Sequence, residues 1–577
     1  MHFCSMNFNI HSKNNQMNIH IRIVVLFFIL FLVQTETQAQ HTYIPTGGLT
    51  QQILDRLEIK SGEIANDYFH SGSKSYRRMA IANYIDSFPV NKVGLSSQDY
   101  FNMGYIIADN FEWSNSEQSK SKKPFLKEFY TRKAALYSVQ IKDFNLVVNP
   151  VFTYQMSTDK WNGTNALLNN RGIEIRGNVG NNIGFYTQVS DEILQPHSWV
   201  GDYLSRDGTL MYANFVKSDN GKTFNYFLSN AYVTGSLNKY MDLQFGHTKN
   251  FMGDGYRTFI IGDMHPEYLT LRLNTRIWKM NYTNIWTELR DQAPPGGYTV
   301  QPRHYMATHH LSLNLGKNLN IGLFETILFK RDSGYTNTGF DPNYLNPIVF
   351  YKSVENGLNS TDKAIIGVNY KYNFLKHFSW YGQFVISEFV LKELLARNGW
   401  WGNKYAIQTG LKYVDVAGIN NLDLQGEFNY SRPYNYTSFN PAQNFSNFGQ
   451  FMAHPLGSNF YEMIGIVRFQ PINRLNISAK IIYALYGNDT NNSNWGKDIR
   501  LGYNSRVNDY GNFVGQGVET KLLIGDLMLS YMPKHNLFVD LKFGYRRTLS
   551  PLPQFELNTS YISVGIRLNL NTRNYDF

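Results

Sequence analysis

Cysteine is almost absent from this chain of 577 residues; the single one is Cys4. It lies upstream of the apolar run of residues 23–33 (IVVLFFILFLV), so a chain trimmed of its leader keeps no thiol. That excludes disulfides, thiolate catalysis, cysteine-based metal sites and a lipid anchor on an N-terminal cysteine. Charge is scarce as well, at 17% against roughly 25% in soluble globular proteins. Long apolar runs are missing. The 23–33 run has eleven residues, and a spanning helix needs about 20, which excludes a helical membrane protein. At about 150 residues per domain the length would allow about four soluble domains, but barrels run long. What the chain does have is aromatic residues, 15% of the total with 40 Tyr and 40 Phe, and so enough apolar surface to exclude disorder. Little charge with many aromatics is the composition of a transmembrane β-barrel. There one residue in two faces lipid, and aromatic girdles line both interfaces.

The N-terminus predicts an export signal. Arg22 is a small basic region, residues 23–33 are the apolar stretch, and Thr37, Gln38 and Ala39 precede a cleavage point after Ala39 or Gln40. Residues 1–39 are therefore the expected signal peptide, with 1–16 an upstream extension ahead of Met17. The net charge of +10 is spread thinly. Its densest run, Lys120, Lys122 and Lys123, reads as a solvated loop. An exported chain without a nucleic-acid module is not expected to bind nucleic acid.

Residues 40–130 carry helical spacing. Leu49, Ile53, Leu54 and Leu57 form one stripe, and Ile81, Tyr84, Ile85 and Phe88 a second, stopped by Pro89. Tyr100, Met103 and Ile107 form a third, with Ser96 or Ser97 placed to cap it. Three short amphipathic helices there would plug the periplasmic mouth of a barrel.

Across residues 131–577 the period becomes two. Leu422, Leu424, Phe428 and Tyr430 alternate with Asp423, Gln425, Glu427 and Asn429. Leu537, Val539, Leu541, Phe543 and Tyr545 oppose Asp540 and Lys542; Ile562, Val564, Ile566 and Leu568 oppose Ser563 and Arg567. Charges within such strands must face a lumen rather than lipid. Short turn signals at 317–318, 420–421, 471–473 and 534–536 contrast with long connections such as 487–512. The expected class is an all-β transmembrane antiparallel barrel of roughly 16–20 strands. The terminal Tyr575-Asp576-Phe577 offers the aromatic ending read by the outer-membrane insertion machinery, with Asn571 and Arg573 weakening the pattern.

Several segments carry a family resemblance: residues 169–177 (NNRGIEIRG), 245–257 (FGHTKNFMGDGYR), 345–351 (LNPIVFY), 399–404 (GWWGNK) and 454–460 (HPLGSNF). With the helical N-terminus they resemble the Wzi-like capsule-assembly family of outer-membrane proteins, and within it the gliding-motility protein RemB group. The resemblance implies a monomeric barrel of about eighteen strands with a small α-helical plug. It also implies a lectin-like role in attaching surface or capsular polysaccharide at the cell outer membrane, in contact with its lipid, and participation in gliding motility. It defines no sugar-binding residue.

The residues themselves offer five ligand-binding candidates: Trp400, Trp401, Asp254, Arg257 and His454. Paired indoles between Gly399 and Gly402 suit stacking on sugar rings; an interfacial girdle or loop packing explains them equally. Gly246 to Arg257 could set Asp254 and Arg257 in the lumen as contacts to a hydroxylated or anionic glycan. The competing reading is an internal charge pair holding barrel and plug together. His309 and His310 point to opposite faces of a strand and cannot share a metal comfortably; no cofactor or metal is expected. His454, Ser458 and Asp498 could be imagined as a triad, but no Gly-x-Ser-x-Gly elbow is present. Glu355, Glu427 and Asp423 as glycosidase carboxylates have no more support. The chain is not expected to be an enzyme. A plugged, polysaccharide-binding barrel and a solute-conducting porin remain the two competing readings.

Overall fold

A computed structural model describes residues 42–577 apart from 66–67, 115, 181, 219, 293–300, 331, 334–335, 338, 349–361 and 491–492. The expected signal peptide, Cys4, Glu355 and residues 349–351 lie outside the described residues.

Eighteen long strands close into one antiparallel barrel. The first, Phe144–Trp161, pairs with the last, Leu557–Leu568, from Phe152 opposite Leu568 to Ser157 opposite Ser563. The ring therefore has no free edge. Short strands at Tyr137–Ile141 and Lys217–Ser218 pair onto the ring from outside its circuit. Among the described residues no helix is long and apolar enough to cross a membrane.

Parity sorts the side chains. In the last strand Ile562, Val564 and Ile566 are exposed on the outer face, while Ser563 and Arg567 are buried inside. In Leu422–Ser431, Leu424 faces out and Gln425, Glu427 and Asn429 face in. Inward charges find each other across strands, as Arg567 Nε does with Asp540 Oδ2 at 3.0 Å. A slip of one residue would turn every side chain to the other face. An arginine turned to lipid at the membrane centre would cost about 2–4 kcal/mol, so the lumen charges help to pin the register.

Turns at one end are short, as between Ile472 and Leu475 or Lys534 and Leu537. Connections at the other are long, as over 196–223, 249–267, 432–459 and 489–517. In outer-membrane barrels the short turns are periplasmic and the long loops extracellular.

Three helices fill the periplasmic mouth: α1 (Leu49–Ser61), α2 (Arg78–Asp86) and α3 (Ser97–Asp109). Ile53, Leu54 and Leu57 of α1 pack with Ile81, Ile85, Met103 and Ile106, and with Met532 and Phe538 of the barrel wall. Ser96 caps α3. Its hydroxyl accepts the Asp99 N–H, and the Asp99 carboxylate accepts the Ser96 N–H. Gly62 ends α1 at φ 71°, where an L side chain is strained. Gln98 of α3 donates to the Pro471 carbonyl in a periplasmic turn, at 3.0 Å.

The extracellular side is filled by its own loops. Segments 249–267 and 432–459 fold inward, and Met252, Phe259, Ile261, Met452 and Leu456 pack with the lumen-facing Phe324, Val385 and Ile482. The lumen is thus occupied from both ends.

The last strand stops at Leu568, Asn569 takes φ 53°, and residues 570–577 run into the lumen outside the sheet. Phe577 is buried against Tyr203. The reason is charge: Arg573 and Asp576 find partners only inside, Arg573 on Glu192 and Asp576 on Arg257 and Lys480.

Candidate functional site

The plug is joined to the barrel by buried ion pairs. Arg56 of α1 meets Asp99 of α3 at 2.9 Å and reaches out to Asp415 and Asp423 of the barrel. Lys60 lies 2.7 Å from both Asp99 and Asp415. From the wall, Lys371 pairs with Asp55 at 2.8 Å and with Glu58, and Lys412 pairs with Asp55. Burial alone would raise the Asp99 carboxyl, but Arg56 beside it, with hydrogen bonds from Arg56, Lys60 and the Ser96 N–H, brings it down to about 2. Loss of one partner from such a buried set typically costs about 3–5 kcal/mol, because the other charge is stranded.

The candidates at 254, 257 and 454 all lie in the enclosed lumen. Asp254 is 3.9 Å from Lys74 of the plug segment and 3.9 Å from Lys371 of the wall. It stands between the plug and the barrel, as the structural reading of this residue expects, although its partners are lysines and not Arg257. Neither of its carboxylate oxygens has a hydrogen-bond donor among the described residues. Arg257 contacts Glu462 at 3.3 Å and Asp576 at 3.2 Å. The backbone N–H groups of Tyr256 and Arg257 donate to Glu427 at 2.7 and 3.0 Å. His454 Nε2 is 2.8 Å from Glu462, and its ring stacks 4.3 Å from Phe460. Glu462 therefore joins Arg257 and His454.

The indoles at 400 and 401 sit apart from that group, half-buried in the extracellular loops. The Trp401 backbone N–H donates to the Asp509 carbonyl at 2.9 Å. Its ring has the Arg506 guanidinium 4.1 Å from its centroid, the Lys404 ammonium at 4.5 Å and the Tyr503 ring at 4.8 Å. Cations and an aromatic ring already surround this indole.

The imagined triad does not assemble. Ser458 donates to the Gly496 carbonyl at 2.6 Å and Asp498 holds Arg500 at 2.7 Å, while His454 is engaged with Glu462. Of the carboxylates weighed as acid and base, Glu427 is tied to loop N–H groups and Asp423 to Arg56. His309 bonds Asn284 at 2.7 Å and His310 bonds Asn369 at 2.8 Å, on opposite faces of their strand. Among the described residues no cluster of three potential metal ligands occurs.

Sequence reasoning passed over a cleft in the lumen that runs from Asp540, near a periplasmic turn, to Trp199 in a long loop. It is narrow, with a cavity volume of about 60 Å³ between the wall and the 572–576 segment. Trp199, Tyr561, Lys542, Arg546, Arg573 and Asp576 line it. Trp199 belongs to α4 (Ser198–Asp207), and its ring lies 4.5 Å from His197 and 5.3 Å from Tyr561. The Trp199 indole N–H donates to the Tyr575 carbonyl at 2.8 Å. The Arg546 guanidinium lies 5.6 Å from the Trp199 centroid and donates to the Phe577 carbonyl, while its Nε has no acceptor among the described residues. Asp576 takes the Tyr256 hydroxyl, Arg257 and Lys480. Burial would raise its carboxyl, but Arg257 and Lys480 together hold it far below the ordinary range. Aromatic faces beside fixed cations are suited to a ring bearing hydroxyl or acidic groups. Only the Pro196-His197-Ser198-Trp199 stretch gave a local signal, an aromatic in a long loop; the remaining walls come from strands far apart in sequence.

No protein-family model matches the chain, and no curated protein matches it. Among solved structures it is similar to Wzi of Escherichia coli, described as a carbohydrate-binding β-barrel of the outer membrane involved in group 1 capsule assembly. The identity is 13%, the likeness covers 92% of this chain and 100% of Wzi, and the TM-score is 0.56. OccAB1 of Acinetobacter baumannii matches at 11% identity over 79% of this chain and 99% of its own, with TM-score 0.40. OprD of Pseudomonas aeruginosa matches at 10% identity over 74% and 93%, with TM-score 0.40. The likeness to Wzi is one of fold, and this chain is an outer-membrane β-barrel.

Proposed function

We propose that this barrel is closed to solutes and binds surface polysaccharide of the capsular type as a lectin-like, non-enzymatic monomer. The observation that carries the reading is the filled lumen. Arg56, Lys60, Lys371 and Lys412 fasten helices into one mouth, and inward loops pack the other half. A conducting pore needs a continuous wet path, and side chains packed into the lumen from both ends support a closed one. Similarity of fold to a carbohydrate-binding barrel supports the same reading, as do aromatic and cationic side chains at the cleft and the extracellular loops. A contribution to gliding motility rests on the family resemblance of the sequence. The test is surface retention of polysaccharide in cells lacking the protein. The expected outcome is loss of cell-bound glycan into the medium, restored by the wild-type chain. Full retention in the deletion strain contradicts the reading.

A further inference from the structure

The 569–577 segment makes unusual contacts for a stretch outside the sheet. It spans a short length of the lumen yet supplies a carboxylate to the Tyr256, Arg257 and Lys480 group, a carbonyl to Arg546, and the ring of Phe577 to Tyr203. Asp576 and Phe577 together present a carboxylate beside a flat apolar ring. A uronate sugar presents the same outline: a carboxylate next to the apolar face of a pyranose.

The charges around the cleft depend on this segment. Lys480 and Lys542 share Asp526 at 3.6 and 3.4 Å, and Arg257 has Glu462. Asp540, also on the cleft wall, is taken by Arg567. With the segment displaced, Arg573 also leaves Glu192, and four cations (Arg257, Lys480, Lys542 and Arg546) face three carboxylates, Asp526, Glu462 and Glu192. An anion must then be supplied from elsewhere, because confined charges are costly when unpaired.

We propose that the cleft is a receptor for an acidic saccharide of the uronate class, and that residues 569–577 sit in it as an internal occupant. Asp576 takes the place of the sugar carboxylate and Phe577 that of its apolar face. The inference rests on the polysaccharide reading and narrows it to a chemical class and a place. Arg257 and Lys480 hold the incoming carboxylate, Arg546 donates to ring or hydroxyl oxygens, and Trp199 and Tyr561 wall the pyranose. A competing segment lowers apparent affinity by the fraction of time the site is free. A site occupied nine-tenths of the time would bind about tenfold more weakly than the open one.

The test is calorimetric titration of the purified full chain with an oligogalacturonate and with a malto-oligosaccharide of equal length. The expected result is binding of the acidic probe alone, tightened about fivefold or more by Asp576→Asn and lost in Arg257→Gln. A nitroxide on Asn574→Cys in a Cys4→Ser background reads the segment directly, with every contact of Asp576 left intact. The oligogalacturonate should mobilise that label and the malto-oligosaccharide should not. Equal binding of both probes overturns the acidic class and leaves the polysaccharide reading standing. Acidic binding with no gain in Asp576→Asn and an unmoved label overturns the internal occupant. Binding of neither probe overturns this inference, while glycan retention on cells decides the broader reading separately.

Discussion

Two regions of the lumen are closed by different physics. At the periplasmic mouth the charges are settled between plug and wall. Arg56 alone meets three carboxylates, two of them on the barrel, and an apolar core of Ile53, Leu57 and Ile106 backs the contact. At the cleft the cations depend on a carboxylate carried by a segment that joins no sheet, and empty space lies beside it. The first contact is made between folded elements; the second is made by a chain segment outside the sheet whose Phe577 and Tyr575 pack in a cluster of their own. On the proposed reading, closure falls to the plug and recognition to the cleft.

That contrast can be broken most strongly at Arg56. Arg56→Ala removes the cation paired with Asp423, leaves Asp99 and Asp415 to Lys60 alone, and should weaken plug docking by about 3–5 kcal/mol. Limited proteolysis should then cut the helical segment while the barrel keeps its heat-modifiable migration on gels. Ile106→Ala opens a cavity in the same bundle and should cost about 2–5 kcal/mol, read as a lower denaturant midpoint for release of the helices.

Acid offers a gentler probe. The Asp99 carboxyl lies at about 2 in the folded protein against an ordinary 3.8. Its contribution is fully present above the unfolded value and is lost as pH falls through the folded one. At about 1.4 kcal/mol per pKa unit this one latch carries about 2 kcal/mol. Plug protection against protease should be flat between pH 8 and about pH 5, and should fall between about pH 4 and pH 2.

The smallest stability effect is expected at the extracellular loops. Trp400→Ala with Trp401→Ala removes cation–π contacts worth about 0.5–1 kcal/mol each, and barrel assembly should be unchanged. Surface retention of glycan should nevertheless fall if these indoles touch polysaccharide. Unchanged retention in a correctly inserted double mutant removes them from the binding surface and leaves the cleft as the remaining candidate.

Strand parity was legible because lipid and lumen impose opposite chemistry on alternate residues. Asp540 and Arg567 had to face inward, and they meet there. The cap at Ser96 was legible because it is local. What parity cannot say is which lumen charge meets which. Arg257 finds Glu462 and Asp576, residues hundreds of positions away, only once the ring has closed. The inward turn at Asn569 was illegible for the same reason. A terminal aromatic suits a girdle as well as a lumen, and only the partners of Arg573 and Asp576 decide between them. The cleft around Trp199 has no motif because its walls come from the first and last strands together.

The most direct test of closure is single-channel conductance in a planar bilayer. Full-length protein should be compared with a chain lacking residues 41–130. Silence from the full chain is the predicted result, with at most weak conductance from the shortened one, because the inward loops still pack the other half of the lumen. Steady conductance through the full-length barrel would contradict the account and make the protein a porin.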